Sequence, residues 1–171
     1  VGTYGGQGRN FVSQNADLLI AVGCRISGRL TGGRPEMFAR GARKVVVDVD
    51  AGLLHDANQD VKVDVNVLCD AECFLADLDR AWRLSITEGG SRPNEWDAWT
   101  ARSFAWRDLY DPVRPEHLAQ DNIHPYAFVR HLSDLAPSNA IVVYDCGGNA
   151  VTVAHAFCTK RGQRVFSNHG N

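Results

Sequence analysis

The sequence lacks an excess of basic residues and lacks long apolar runs. Its 171 residues carry 18 Lys and Arg against 20 Asp and Glu, a formal net charge of -2. Domains that bind nucleic acid usually carry a basic surface, so we expect no nucleic-acid partner. No run approaches the roughly 18 to 20 apolar residues of a membrane span, and the first residues lack the layout of a signal peptide. We therefore expect a soluble cytoplasmic protein with no membrane partner.

Patterns typical of metal sites and catalytic nucleophiles are also missing. The six histidines show no HxH or HExxH spacing, and no GxSxG motif occurs. The odd number of cysteines, without a CxxC pair, suits reduced thiols in a cytosolic chain. His55 with Cys69 and Cys73 lacks a fourth zinc ligand at a typical separation. The sequence therefore predicts no metal ligand and no catalytic nucleophile. The five cysteines are Cys24, Cys69, Cys73, Cys146 and Cys158.

The sequence does contain alternating strand and helix patterns, with 44% hydrophobic and 22% charged residues. Residues 18–22 and 43–50 are apolar runs typical of parallel strands buried on both faces, and residues 61–67 alternate with a period of two. Helices are predicted over residues 35–40 and 71–84, the second capped by Asp70. The sequence thus predicts an α/β fold, an open parallel sheet of Rossmann-like type, in a domain over residues 1–84.

A connector is predicted over residues 85–121, where glycines, prolines and three tryptophans replace the earlier pattern. Residues 94–109 should form a helix whose tryptophans pack against neighbouring domains, and an extended stretch should follow.

A second α/β domain is expected to begin in residues 122–171, with the chain covering only its first part. It should contain helices over residues 126–135 and 150–157, a strand over residues 140–144 and a strand from Arg164. Residues 167–171 should be a loop. Because both ends interrupt folding units, we expect the chain to be a fragment.

The glycine-rich start allows two interpretations. Gly2, Gly5, Gly6 and Gly8 would let backbone amides approach a phosphate, or they form a simple loop before a short helix over residues 12–16. No strand precedes them, so the pattern alone does not decide.

Polar residues follow the predicted strands, where ligands of open α/β sheets bind. Arg25 is able to pair with a phosphate and Asp48 with a ribose hydroxyl; alternatively, Arg25 pairs with Asp48 or Asp50, or the carboxylates cap helices. After the strand at residues 140–144, two glycines and Asn149 could face a diphosphate at a helix N-terminus. The alternative there is a tight turn with Asn149 as the N-cap.

Together these residues resemble a known family. The features that carry the first part of the resemblance are Ala16-Asp17 to Gly23-x-Arg25, Thr31-Gly32, Phe38-Ala39, Val47 to Asp50 and Cys69-Asp70-Ala71. They resemble, in order and spacing, the central domain of thiamine diphosphate-dependent enzymes of the acetolactate synthase type. Ile123-x-Pro125 to Asp145-Cys-Gly147 resembles the start of that family's diphosphate-binding domain.

The resemblance implies a carboligase or decarboxylase acting on a 2-keto acid, with thiamine diphosphate, Mg²⁺ and, in the central domain, FAD or ADP. It implies that the full-length protein is a homo-oligomer. It also implies that the activating glutamate and the magnesium motif lie outside these residues, so this segment alone should not catalyse the reaction. The residues implied for thiamine diphosphate are Cys146, Gly147, Gly148 and Asn149. Those implied for FAD or ADP are Gly23, Arg25, Asp48, Val49 and Asp70.

The sequence departs from the family at several of these positions. Gly148 and Asn149 stand where acetolactate synthases usually have Gln and His, Cys69 replaces a glycine, and His169 stands in another glycine position. These departures bear on the exact substrate. Two other hypotheses stay open from the α/β pattern: a non-catalytic nucleotide-binding or structural α/β module, and an NAD-dependent α/β enzyme.

Overall fold

The computed structural model describes residue 2, residues 5–90, residue 93 and residues 95–167. The predicted loop over residues 167–171, with His169, lies outside the described residues apart from Ser167. Two compact units are present: a first unit of residues 11–106, and a second unit of residues 1–10 and 107–171. These borders differ from the predicted division at residues 1–84, 85–121 and 122–171, which stays a prediction.

The first unit is built on a parallel three-stranded sheet in the order β1-β2-β3. The strands are β1 (Leu18–Val22), β2 (Arg43–Asp48) and β3 (Val65–Leu68), with Leu18 opposite Arg43 and Val45 opposite Val65. The central strand is the most buried of the three and carries Val47, which is fully buried. This confirms the predicted α/β fold with a parallel sheet.

The third strand is shorter than the predicted residues 61–67. The carboxylate of Asp64 accepts a hydrogen bond from the Lys44 N–H at 2.7 Å, while the Asp64 N–H donates to the Lys44 carbonyl at 2.9 Å. The Asp64 carboxylate thus accepts the hydrogen bond that a backbone carbonyl would accept in a regular sheet. The regular pairing of β3 with β2 begins one residue later, at Val65. Val61, before this point, is buried in the core.

The first two helices depart from the predictions. Helix α1 (Gly6–Asn15) is longer than the helix predicted over residues 12–16 and includes part of the glycine run, and helix α2 (Gly28–Thr31) lies where no helix was predicted. Helix α2 ends at Gly32, whose φ of 71° favours glycine.

The helix predicted over residues 35–40 is one 3₁₀ turn, Pro35–Met37. It stops early because Phe38 has an extended conformation and the N–H of buried Ala39 donates to the Gln14 side chain at 2.9 Å. Both Phe38 and Ala39 then enter the core of the first unit. A second 3₁₀ turn, Asp56–Asn58, follows in the segment before β3.

Two longer helices follow the sheet, α3 (Ala71–Thr87) and α4 (Glu95–Leu109). Asp70 caps α3 as predicted, because its Oδ1 atom accepts from the N–H groups of Glu72 at 2.8 Å and Cys73 at 3.4 Å. The rings of Trp82 and Trp96 stack 5.3 Å apart. The proposed packing of the tryptophans against other domains stays a prediction.

The second unit contains α5 (Pro115–Leu118), α6 (Pro125–Leu135), β4 (Ile141–Tyr144), α7 (Gly148–Ala156) and β5 (Arg164–Ser167). Its two strands pair in parallel, with Ile141 opposite Arg164. Buried Val129, Ala156 and Phe157 form its core. The predicted helices and strands are present here, whereas the stretch predicted as extended contains α5.

Side chains of α6 hold the segment that follows α7. Ser133 is 0% exposed; its Oγ atom donates to the Cys158 carbonyl at 3.0 Å and accepts from the Cys158 N–H at 2.9 Å. Arg130 donates to the Ala156 carbonyl at 2.9 Å and forms two bonds to the Asp111 carboxylate, at 3.1 and 3.2 Å. Partial burial by itself lowers the pKa of Arg130, but the hydrogen bonds to Asp111 and the charges of neighbouring acidic groups, Asp111 and Asp134 among them, together raise that pKa overall.

None of the helices in the described part of the chain has both the length and the apolar character that crossing a membrane requires.

Candidate functional site

The turn between β4 and α7 places backbone amides at an open helix start. Gly147 is the N-cap of α7, with a φ of 97° that L side chains rarely adopt, and it makes no side-chain capping bond. A Cβ atom on Gly148 would meet nothing within 4 Å. The first amides of a helix lack intrahelical acceptors and lie at the positive end of its dipole. This geometry suits a diphosphate.

The side chains of this turn have different roles. The Cys146 N–H donates to the Asp145 carboxylate at 2.7 Å, so this amide already has an acceptor within the turn. The Asn149 Oδ1 atom lies 3.8 Å from the position of a Cβ on Gly147, so this side chain folds back toward the helix start. The alternative in which Asn149 is the N-cap is wrong, because Gly147 occupies that position.

The carboxyl ends of β1 and β2 bring together Arg25 and Asp48, which line one cavity of about 30 Å³ with Cys24. Gly23 lies at the turn, with a φ of 57°, and its N–H donates to the Val47 carbonyl at 2.9 Å. A cavity of this size holds about one or two water molecules. A nucleotide at this edge would therefore lie along the open surface.

The acidic residues of this edge also organise the backbone. Asp48 accepts from the Asp50 N–H at 3.0 Å, Asp50 accepts from the Gly52 N–H at 2.8 Å, and Asp70 caps α3. Val49 is 67% exposed between the two aspartates. Within the residues that the structure describes, no ion pair joins Arg25 to Asp48 or Asp50. Asp48 and Asp50 thus bind amides of the turn that follows β2 and cap no described helix, and Arg25 is exposed at the sheet edge.

The glycine-rich start belongs to the second unit; Gly6 and Gly8 lie in the first turn of α1, and Gly2 and Gly5 precede it. Gly6 has a φ of 61°, Gly8 is buried, and the Asn10 side chain donates to the Gly2 carbonyl at 3.0 Å. A phosphate-binding role for these glycines stays a prediction. Among the described residues, no group of three or more His, Cys, Asp or Glu is arranged to hold a metal. All five cysteines are free thiols.

Sequence reasoning missed a cavity of about 680 Å³ in the second unit. Its lining includes the rings of His117, Tyr126 and His155. The ring of His117 stacks on that of His124 at 3.7 Å. The sequence signal for this pair is weak: His117 and His124 each lie within two residues of a proline, Pro115 or Pro125, that begins a helix.

Comparison with known proteins supports these observations. Residues 1–78 match the family described as "Thiamine pyrophosphate enzyme, central domain". The chain is 28% identical to a probable acetolactate synthase large subunit of Methanocaldococcus jannaschii, over 99% of this chain and 28% of the relative. It is 32% identical to the acetolactate synthase large subunit of Parasynechococcus marenigrum, over 90% of this chain and 23% of that protein. The chain is 27% identical to the acetolactate synthase isozyme 1 large subunit of Escherichia coli, over 99% of this chain and 28% of that protein.

Residues 1–78 are thus similar to the central domain of thiamine pyrophosphate enzymes, and nearly the whole chain is similar to part of acetolactate synthase large subunits. These similarities confirm the resemblance seen in the sequence. The chain spans about a quarter of the length of these relatives.

Proposed function

We propose that this chain is part of a thiamine diphosphate-dependent carboligase or decarboxylase acting on a 2-keto acid. The family match supports the cofactor class, and the single structural observation that carries the proposal is the open N-terminus of α7. The complete enzyme is proposed to be a cytoplasmic homo-oligomer that uses Mg²⁺. The 171 residues alone are expected to be inactive, because no catalytic residue is assigned within them.

The role of this segment is to bind the diphosphate. The amides of Gly148 and Asn149 would donate to diphosphate oxygens, and the dipole of α7 would favour the negative charge. When bound, thiamine diphosphate supplies a nucleophilic thiazolium carbon for attack on the keto acid. Gly147 supports this arrangement through its positive φ, which lets the chain turn directly from β4 into α7.

A glycine substitution tests this role. Gly147→Ala places a Cβ on a backbone with a φ of 97° and should weaken binding of thiamine diphosphate with Mg²⁺ at least about tenfold, as followed by phosphorus NMR. Gly33→Ala is the matched control, because Gly33 has a φ of 76° and lies in the first unit. Equal binding by both variants, or no binding by the unmodified chain, would refute the assignment.

We further propose that the open edge beyond β1 and β2 holds FAD or ADP. The support is the cavity that Arg25 and Asp48 line together, with Gly23 at the turn after β1. Val49 follows Asp48 along the chain, and Asp70 follows β3, in which Leu68 lies opposite Asp48. Arg25 would pair with a phosphate and Asp48 would accept from a ribose hydroxyl.

Calorimetric titration with FAD, ADP and NAD tests the nucleotide. Arg25→Gln should lower the affinity for FAD or ADP at least about fivefold, since it removes a charged partner of the phosphate, whereas Arg40→Gln should not. Binding of NAD alone would favour the NAD-dependent alternative. Binding of none of the three would favour a structural module.

A further inference from the structure

Two histidines of the second unit form a stacked pair that joins two helix starts. The ring centroids of His117 and His124 lie 3.7 Å apart and the ring planes are 7° from parallel. His117 lies in α5, and His124 is the N-cap of α6. The ring of Tyr126 continues the row, 6.3 Å from His117 and 5.8 Å from His124. The stack therefore connects the α5 segment with the beginning of α6.

Each imidazole of the pair also accepts a backbone hydrogen bond at such a start. The His117 Nδ1 atom accepts from the Arg114 N–H at 3.2 Å, and the His124 Nδ1 atom accepts from the Tyr126 N–H at 3.3 Å. An Nδ1 atom that accepts carries no proton, so each of these bonds requires a ring whose only proton is on Nε2. Both bonds require the neutral rings.

Protonation would remove both features. A proton on Nδ1 turns the acceptor into a donor that faces an N–H group, and two protonated rings would place like charges 3.7 Å apart. His124 also lies at the N-terminus of α6, where the helix dipole disfavours positive charge. Protonation of both rings therefore destabilises the His117–His124 stack and removes the two backbone hydrogen bonds.

The charged groups facing the pair do not offset this effect. The cavity beside His117 is lined by Asp111, Arg114 and Glu116. Asp111 is held by Arg130 through two bonds at 3.1 and 3.2 Å, and Glu116 lies 3.7 Å from Arg114. Each carboxylate thus already has a guanidinium partner.

The remaining titratable groups of the row are Tyr126 and His155. The Tyr126 hydroxyl is hydrogen-bonded to the His155 Nδ1 atom at 3.2 Å. Their ring planes are 13° from parallel, with the centroids 6.0 Å apart. Neither group is placed as a negative partner for a protonated ring of the pair.

We infer that the stacked His117–His124 pair, which accepts backbone bonds at the starts of α5 and α6, is a proton-sensitive latch. When both rings are neutral, the latch holds the α5 segment against the start of α6. Acidification opens it and releases the segment that lines the 680 Å³ cavity. The inference goes beyond the proposed cofactor sites, since none of their residues takes part in the latch.

Amide hydrogen exchange of the full chain tests the latch. NMR would compare protection of the Arg114 and Tyr126 amides at about pH 7.5 and about pH 5.5, the span in which histidines titrate, after correction for intrinsic rates. Protection of both should fall at least about fivefold on acidification. In the His117→Asn/His124→Asn variant it should change less than about twofold, because Asn accepts hydrogen bonds at helix starts but does not titrate.

The controls keep the test decisive. His131→Asn changes an exposed histidine of the same helix α6 and should keep the wild-type response to pH. If the double variant does not fold, the single variant His124→Asn should still lose the response at Tyr126. Unchanged protection in the wild type, or the same fall in the Asn variants, would overturn the inference.

Discussion

Removing the Ser133 hydroxyl is the sharpest test of how the second unit is held together. This side chain is 0% exposed and makes two hydrogen bonds to the backbone of Cys158, at 2.9 and 3.0 Å. Ser133→Ala leaves one donor and one acceptor without their partner. An unsatisfied buried group costs about 1 to 3 kcal/mol, so we expect a loss of about 2 kcal/mol in the free energy of unfolding.

The four tryptophans allow the two units to be followed separately. They are Trp82, Trp96, Trp99 and Trp106, and all lie in the first unit. In a urea titration of Ser133→Ala, the transition followed by tryptophan fluorescence should stay unchanged. The transition of the second unit, followed by amide exchange in α6 and α7, should move to lower urea.

A serine of the second unit outside the core provides the control. Ser138 is exposed, and Ser138→Ala should change stability by less than about 0.5 kcal/mol. A loss below about 0.5 kcal/mol for Ser133→Ala would refute the role given to its hydroxyl.

Three further substitutions have defined outcomes. Asp70→Ala should destabilise α3 by about 1 kcal/mol, measured by urea unfolding, whereas Asp70→Asn should retain most of the cap; equal losses would contradict the capping role. Arg130→Met should destabilise the second unit by about 1 to 2 kcal/mol in thermal unfolding, because Asp111, which is partly screened by solvent, loses its partner; an unchanged melting temperature would contradict this. Gly162→Ala should cost about 2 kcal/mol or more in urea unfolding, since its φ is 94° and a Cβ would lie 2.8 Å from the Ser138 carbonyl; a neutral result would contradict the geometry.

Local pattern was sufficient for the elements whose burial follows a regular period. Strand β1 has the predicted bounds, and helices α3 and α6 start within one residue of the predicted positions. Boundaries failed where a single side chain redirects the backbone. The Asp64 carboxylate shortens β3, and the Gln14 side chain accepts from Ala39 where a helix was expected.

The candidate site followed partly from the sequence, because strand ends of a parallel sheet meet at one edge. Arg25 and Asp48 line one cavity for this reason. The contacts of Asp70 with α3 follow from a local capping pattern. The His117–His124 stack could not be predicted in this way, since the two rings meet only after the segment between α5 and α6 has folded back.

The central claim is that the start of α7 binds a diphosphate, and amide NMR of the chain tests it most directly. On addition of thiamine diphosphate with Mg²⁺, the largest chemical-shift changes should occur at the amides of Gly147, Gly148 and Asn149. These amides lie at the open helix start, whereas the Cys146 amide already donates to Asp145. Absent changes, or changes concentrated away from this turn, would contradict the account.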